Sequence, residues 1–410
     1  MVISSRLDLS QQDWMRVPGV QRIFDVIKNG GGDVRFVGGA VRDALLGKKV
    51  GDVDLASTLS PERTTQLLTA AGLKIVPTGI EHGTITAVAD HKGYEITTLR
   101  RDVETDGRRA KVEFTDDWQA DAARRDFTMN AIYADDAGAL YDYFGGRDDL
   151  AAGRVRFIGN AEDRIKEDIL RILRFFRFHA WFGRGAADAE GLKACHALAN
   201  LLPQLSTERV WREIYKLLAA ENPAPAWRLI IEQKILPHFL PEAAGIARLE
   251  NLLAAEQKFE VTVSSLARLA SLLPAKEETA MQVAATLKMA RRETYQLRLL
   301  AIVPHLLSGK LDPIPFRRAL YEYGADICRE AALLLAADDM GVDLEPAFAV
   351  AADWQQPTFP LQGEDILKLG IMPGPKVGEI LHAVEDWWIA QDFRPAQAEC
   401  LAEAKRLANI

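Results

Sequence analysis

Cysteine is scarce in this sequence. The three thiols, Cys195, Cys328 and Cys400, are odd in number and far apart. They fit neither a disulfide framework nor a zinc site, so a reducing cytoplasm is the expected compartment. Long apolar runs are missing as well. No stretch reaches the roughly 18 apolar residues a membrane-spanning helix needs. The opening MVISSRLDLSQQDWM has no basic segment leading into an apolar one, and no secretory signal is expected. Neither G-x-G-x-x-G nor Gly-Lys-Ser/Thr occurs, which sets aside a Rossmann or P-loop enzyme. Fixed-period repeats, low-complexity tracts and coiled-coil heptads are also lacking. Positive charge is in deficit: 50 Lys and Arg face 58 Asp and Glu, for a net charge of −8. That balance argues against indiscriminate nucleic-acid binding but leaves local basic patches open.

What remains is a globular composition, 48% apolar and 26% charged, in a chain of 410 residues. One ordinary core does not extend that far, so two to four domains are expected. Strand-like runs occur early, at VRFVG, DVDLAS, GTITAVA, YEITTLR and ALYDYF, with helical patterns between them. From about Arg154 the strand signals nearly vanish, and Leu, Ala, Glu, Arg and Lys recur at helical spacing. Breaks at ENPAPAW, ILPHFLP, LDPIPF, QQPTFP and IMPGPKVG cut this part into short helices. The expected plan is an α+β head, a small mixed sheet with helices over residues 1–150, followed by all-α segments. These are a neck at 151–215, a body at 216–320 and a tail at 321–410.

The densest stretch is RFVGGAVRDALLGKKVGDVDLAS, from Arg35 to Ser57. VRFVGG reads as a strand ending at Gly38 and Gly39, and AVRDALLG as a helix closed by Gly47. Glycines at such a turn let backbone N–H groups approach a ligand, and the helix start behind them favours an anion such as a phosphate. Arg42 in the first turn adds a full positive charge. DVDLAS then returns as a strand, and period-two alternation puts Asp52 and Asp54 on one face. Two carboxylates on a rigid strand beside a phosphate site make a platform for Mg2+. Metal-assisted phosphoryl or nucleotidyl transfer is the chemistry this set suggests. Each piece alone also reads as an ordinary turn or a solvated strand end; it is the ordered set that is specific.

That set, GG-x-VRD-x-LLG followed by D-x-D, resembles motif A of the class II tRNA nucleotidyltransferase and bacterial poly(A) polymerase family, within the polymerase-beta superfamily. Four more segments continue the resemblance in order. RRDFTMNAIY (Arg124 to Tyr133) is similar to motif B and DYFGGRDDL (Asp142 to Leu150) to the motif C hinge. EDILRILRFFRF (Glu167 to Phe178) resembles motif D and STERVWRE (Ser206 to Glu213) motif E. Beyond Lys216 the likeness rests mainly on GEDILKLGIMPGPKVGEIL. The resemblance implies that Asp52 and Asp54 hold the metal and are the catalytic carboxylates. It also implies that Gly39, with Gly38, and Arg42 contact the nucleotide, Arg125 the triphosphate and Asp126 the ribose. Glu95 in YEITTLR is a candidate third carboxylate, although an edge-strand glutamate needs no such role.

Asp168 and Arg171 are three apart and so neighbours on a helical face, and Arg174 and Arg177 continue at the same interval, each step turning by about 60°. Read from the residues alone, this is equally a core helix whose arginines snorkel outward. The resemblance implies that the family reads bases with the Asp168–Arg171 pair, and Arg174 and Arg177 join the expected nucleotide contacts. A carboxylate only accepts and a guanidinium only donates. Cytosine and adenine both offer an exocyclic amino donor beside a ring-nitrogen acceptor, which matches the pair. Guanine and uracil offer the reverse pattern, and leaving such groups unpaired gives rejection of order 10⁴-fold.

The implied activity is template-independent addition of CCA to the tRNA 3′ end from CTP and ATP, with the acceptor and TΨC arm as the RNA partner. No membrane contact and no obligate protein partner are expected. A poly(A) polymerase is the alternative; this acidic chain lacks the basic C-terminal arm expected of one. A catalytically silent RNA-binding relative is the alternative of another class, and the intact Asp52 and Asp54 weigh against it. The His-Asp phosphohydrolase pattern of some longer relatives is absent. The charged segment RRDVETDGRRAKVEF (Arg100 to Phe114) occupies the place of the flexible head loop that a CC-only enzyme lacks, though a solvated hairpin tip reads the same way. In the tail, PGPKVGEIL is expected as a hairpin whose Gly374 and Gly378 face an RNA phosphate, with Lys376 adding charge.

Overall fold

Val34–Val37 (β1) is buried along its whole length and lies inside a seven-stranded mixed sheet. The structure, a computed structural model, describes residues 5–106, 109–243 and 245–409. Asp54–Ser57 (β2), Lys74–Gly79 (β3), Thr84–Ala89 (β4), Lys92–Thr98 (β5), Ile132–Ala134 (β8) and Leu140–Asp142 (β9) complete the sheet in the order β3-β4-β5-β2-β1-β8-β9. Only β2 and β5 run parallel. The charged segment after β5 is a separate antiparallel hairpin, Arg100–Asp106 (β6) with Arg109–Phe114 (β7). Residues 107–108 of the expected flexible loop lie outside the described residues. The sequence reading missed β3 and β8: each is too short or too polar for its own alternation to stand out.

Helices Pro18–Asn29 (α1), Gly39–Leu45 (α2), Pro61–Ala70 (α3), Trp118–Ala123 (α4) and Gly146–Ala152 (α5) flank or follow the sheet. Val37, Ala56, Trp118 and Tyr133 meet in a buried cluster. Among the described residues no strand follows β9, and helices carry the rest, as expected. Ala161–Glu167 (α6), Arg171–Phe182 (α7), Ala189–Leu198 (α8), Thr207–Leu218 (α9) and Ala224–Glu232 (α10) come first. Phenylalanines tie α7 to the segments before β8 and after β9: Phe157 stacks on Phe175 at 5.6 Å, and Phe127 lies 5.0 Å from Phe178. Burial of four such rings sets which face of α7 turns inward.

The chain divides into two compact units, Met1–Pro241 and Glu242–Ile410. The second unit contains Ala247–Phe259 (α11), Ser265–Leu272 (α12), Glu277–Thr286 (α13), Arg291–Leu307 (α14), Pro313–Tyr323 (α15) and Ala325–Asp338 (α16). Glu345–Ala352 (α17), Gly363–Leu367 (α18), Pro375–Ala390 (α19) and Gln397–Ala408 (α20) follow. Leu361, Ile366, Ile380, Trp388 and Cys400 form the core shared by its last three helices. Among the described residues no helix is long and apolar enough to cross a membrane.

Candidate active site

Strand register builds the first half of the site. The β1–β2 ladder sets Val37 opposite Asp54, so the Gly38–Gly39 turn leaves the sheet beside that carboxylate. Gly38 has φ +71° and ψ −128°, a conformation that side-chain-bearing residues avoid. On the other side, the parallel β2–β5 ladder pairs Asp54 with Glu95. Asp52 was expected in the strand; it lies in the bend just before it, because β2 starts only at Asp54. The alternation survives, with Val53 buried between an exposed Asp52 and a half-buried Asp54.

Burial, and then the negative charges of Glu95 and Asp52, raise the Asp54 carboxyl above its ordinary value, with Arg125 opposing. Among the described residues no hydrogen bond or ion pair satisfies Asp52, Asp54 or Glu95. Three carboxylates without a hydrogen-bond partner, only one of them facing the charge of Arg125, suit a divalent cation. Yet no three His, Cys, Asp or Glu side chains among the described residues form a cage on their own. That fits Mg2+, which is typically held by one or two carboxylates and completes its shell with water and substrate phosphates.

The second half is an ordered relay of charges. Arg42 donates to Asn130 Oδ1 at 2.8 Å and to Asp43, and its guanidinium covers the Phe182 ring at 4.1 Å. Asn130 Nδ2 donates to Asp126 Oδ1 at 2.9 Å, and Arg174 Nε donates to Asp126 Oδ2 at 2.9 Å. Burial pushes the Asp126 carboxyl up, but Arg174 and Asn130 outweigh it and hold it below the usual carboxylate range. Arg125 donates to Tyr133 Oη and Asp121, each at 3.2 Å. Burial opposes the Arg125 charge, and Tyr133 and Asp121 more than restore it. Asp121 is 1% exposed and also accepts from Arg124 at 2.7 Å and Tyr133 Oη at 2.7 Å.

Motif D departs from the expected single helix. Asp168 has extended backbone (φ −149°, ψ 104°) between α6 and α7, so it does not share a helical face with Arg171. Aspartate competes well for backbone N–H groups at helix starts. Here its side chain accepts from Leu170 N at 3.2 Å and its carbonyl from Arg171 N at 2.9 Å. Arg171 opens α7 and donates to Glu167 at 2.8 Å and to the Arg164 and Arg124 carbonyls. Arg177, expected among the nucleotide contacts, is placed elsewhere. It does not line the cleft but donates to Glu213 Oε2 at 2.5 Å, because two three-residue steps from Arg171 carry it round the helix to α9.

These groups surround a cleft of about 420 Å³ that Gly38, Gly39, Arg42, Asp54, Arg125, Asp126, Asp168, Arg171 and Arg174 line. Arg124, Asn130 and Arg209 line it too, and the sequence reading had singled out none of the three. Arg209 Nη2 bridges both Asp168 oxygens at 3.0 and 2.8 Å. The signal was present, since Arg124, Asn130 and Arg209 sit inside the segments resembling motifs B and E, but Asn130 and Arg209 meet partners remote in sequence. Lys376 belongs to the second unit, where the expected hairpin is instead the start of α19. Pro375 opens that helix and Gly378 lies within its first turn, since proline's fixed φ suits a first helical position.

A glycine turn on a mixed sheet, a strand carboxylate and an arginine-walled cleft define a nucleotidyltransferase-type head carried on a helical chain. The poly A polymerase head domain model matches residues 34–156, and the model described as "Probable RNA and SrmB- binding site of polymerase A" matches 188–246. The mitochondrial CCA tRNA nucleotidyltransferase 1 of Mus musculus is 34% identical over 95% of this chain and 90% of its own length. The CCA-adding enzyme of Streptococcus gordonii is 34% identical over 88% of this chain and 90% of its own. The crystal structure of the Bacillus stearothermophilus CCA-adding enzyme in complex with CTP superposes with a TM-score of 0.78 at 29% identity, covering 96% of this chain and 99% of that one. The chain belongs to the CCA-adding tRNA nucleotidyltransferase family.

Proposed function

We propose that this protein adds the 3′-terminal CCA to tRNA without a nucleic-acid template, using CTP and ATP. The tRNA 3′-hydroxyl attacks the nucleotide α-phosphate and pyrophosphate leaves. The observation that carries the reading is the Val37–Asp54 register, which sets a phosphate-facing glycine turn beside an unsatisfied carboxylate. Asp52 and Asp54 would hold Mg2+, supplying positive charge at the attacking hydroxyl and the α-phosphate. The Gly38–Gly39 amides, Arg42 and Arg125 bind the triphosphate. Asp126, held by Asn130 and Arg174, accepts from the ribose hydroxyls.

Donor accounting supports base reading by Asp168 and Arg171. Arg171 spends Nη1 on Glu167 and the Arg164 carbonyl and one Nη2 proton on the Arg124 carbonyl, which leaves Nε–H and a second Nη2 proton. Asp168 Oδ2 accepts only from Arg209, so one acceptor position remains for an exocyclic amino group. The finer division into head (1–150), neck (151–215), body (216–320) and RNA-binding tail (321–410) is the functional partition, with a body that spans the Pro241–Glu242 boundary and with Lys376 facing tRNA phosphate. The buried free thiols of Cys195, Cys328 and Cys400 support a reducing, cytoplasmic setting.

Replacing Asp54 or Asp52 by alanine tests the reading. Turnover should fall by at least a thousandfold at saturating Mg2+, while tRNA affinity stays within about twofold. Turnover within tenfold of wild type in either variant would sink the assignment of these carboxylates.

A further inference from the structure

Trp181 is 41% exposed, and its position is unusual for so large a ring. It stands on α7, the helix that carries Arg171 and Arg174 into the cleft. The indole N–H is already spent, donating to the Lys216 carbonyl at 2.7 Å, so the ring is fixed to α9. What it leaves in water is apolar ring surface.

The two segments that meet that ring both carry lysines. Gly47, at φ +66°, turns the chain back after α2 and projects Lys48 and Lys49. The Lys48 ammonium lies 4.9 Å from the Phe182 ring centroid and 5.9 Å from that of Trp181. Among the described residues none of Lys48, Lys49 and Lys216 has a carboxylate partner, and all three are exposed. In a chain of net charge −8, three unpaired lysines beside one exposed indole are a local departure from the whole. The patch also adjoins the cleft: the Phe182 ring takes both the Lys48 ammonium, at 4.9 Å, and the guanidinium of the cleft residue Arg42, at 4.1 Å.

We propose that Trp181, with Lys48, Lys49 and Lys216, is a stacking platform for the unpaired 3′ strand of the RNA substrate on its way into the cleft. Aromatic rings with neighbouring cations bind single strands by base stacking and phosphate contact, with little sequence preference. Sequence tolerance is what a substrate recognised by shape requires. Lysine's flexible stem lets the Lys48 ammonium turn from the ring to a phosphate when a base takes its place. This contact rests on the proposed function, and it adds an RNA surface in the first unit to the tail anchor.

The test uses the full chain, a tRNA transcript lacking its 3′ CCA, and CTP. Trp181→Ala should raise KM for the tRNA about tenfold and leave KM for CTP within twofold, and Trp181→Phe should recover most of the loss. The double variant Lys48→Glu/Lys49→Glu, both sites exposed, should also raise KM for tRNA and flatten its salt dependence. A tRNA KM within twofold of wild type in Trp181→Ala and in the double variant overturns the platform. So does a joint rise of both KM values with a lower Tm, which marks a ring that merely braces α7 on α9. Wild-type chain in the same assay separates the two claims: if it extends the transcript and the variants do so at an unchanged tRNA KM, only the platform fails. If wild type cannot extend it, the proposed function fails first and the platform with it.

Discussion

In the proposed reaction Asp168 and Arg171 would carry the selectivity, and each is held by groups that leave it part of its hydrogen-bonding capacity. Asp168→Ala and Arg171→Ala should lower kcat/KM for CTP and ATP and narrow the preference over UTP and GTP by at least tenfold. Measuring all four nucleotides beside the melting temperature distinguishes this from a structural helix, which would lose stability at unchanged ratios. Asp121 governs a different property. Burial pushes its carboxyl up, but Arg125, Arg124 and Tyr133 outweigh it and hold it down to about 2. A depressed carboxylate contributes stability that is complete above its unfolded value of 3.8 and is lost as pH falls towards the folded one. The contribution is about 2 kcal/mol. Melting curves from pH 7 to pH 2 should therefore show a steep loss below pH 4, and Asp121→Asn should lower Tm at pH 7 and flatten that acid limb. An unchanged acid limb in Asp121→Asn would count against the role given to this group. The glycine turn, Arg42 and Asp54 were legible in the sequence because they lie together within one short motif. Asn130 and Arg209 were not, because they act on Arg42 and Asp168, 88 and 41 positions away.

At the scale of elements, apolar periodicity found α7 and most of the sheet but could not see where a helix stops for a side chain. EDILRILRFFRF has no proline or glycine. Its break comes from Asp168, whose carboxylate and carbonyl take the first N–H groups of α7. The consequence is functional, since a residue outside the helix can turn its carboxylate to Arg209 as well as to a base. The same limit operated at α19, where two glycines and two prolines suggested a hairpin and the chain instead begins a 16-residue helix. Its exposed Lys376 now stands in a first turn, where unpaired N–H groups and the helix dipole both favour a phosphate. Lys376→Glu should weaken tRNA binding about uniformly across tRNA sequences and reduce the salt slope of log K by about one unit. Nucleotide preference should not change. A salt slope equal to that of wild type would remove Lys376 from the RNA surface.

For the whole molecule, the change from mixed sheet to helices was plain from composition, whereas the boundary between the compact units was not. ILPHFLP ends at that boundary, yet nothing in it differs in kind from ENPAPAW or LDPIPF, which fall inside units. Domain boundaries depend on which contacts are few, and a single sequence does not display contacts. The central claim concerns one product, and one incubation tests it: purified chain, Mg2+ and a tRNA lacking its 3′ CCA, with CTP alone, ATP alone, or both, resolved at single-nucleotide length. The account predicts two added residues with CTP alone, little or none with ATP alone, and three with both, ending in adenosine. A ladder of many adenosines from ATP alone would make the chain a poly(A) polymerase, and no extension under any condition would make it a silent relative; either result contradicts the account.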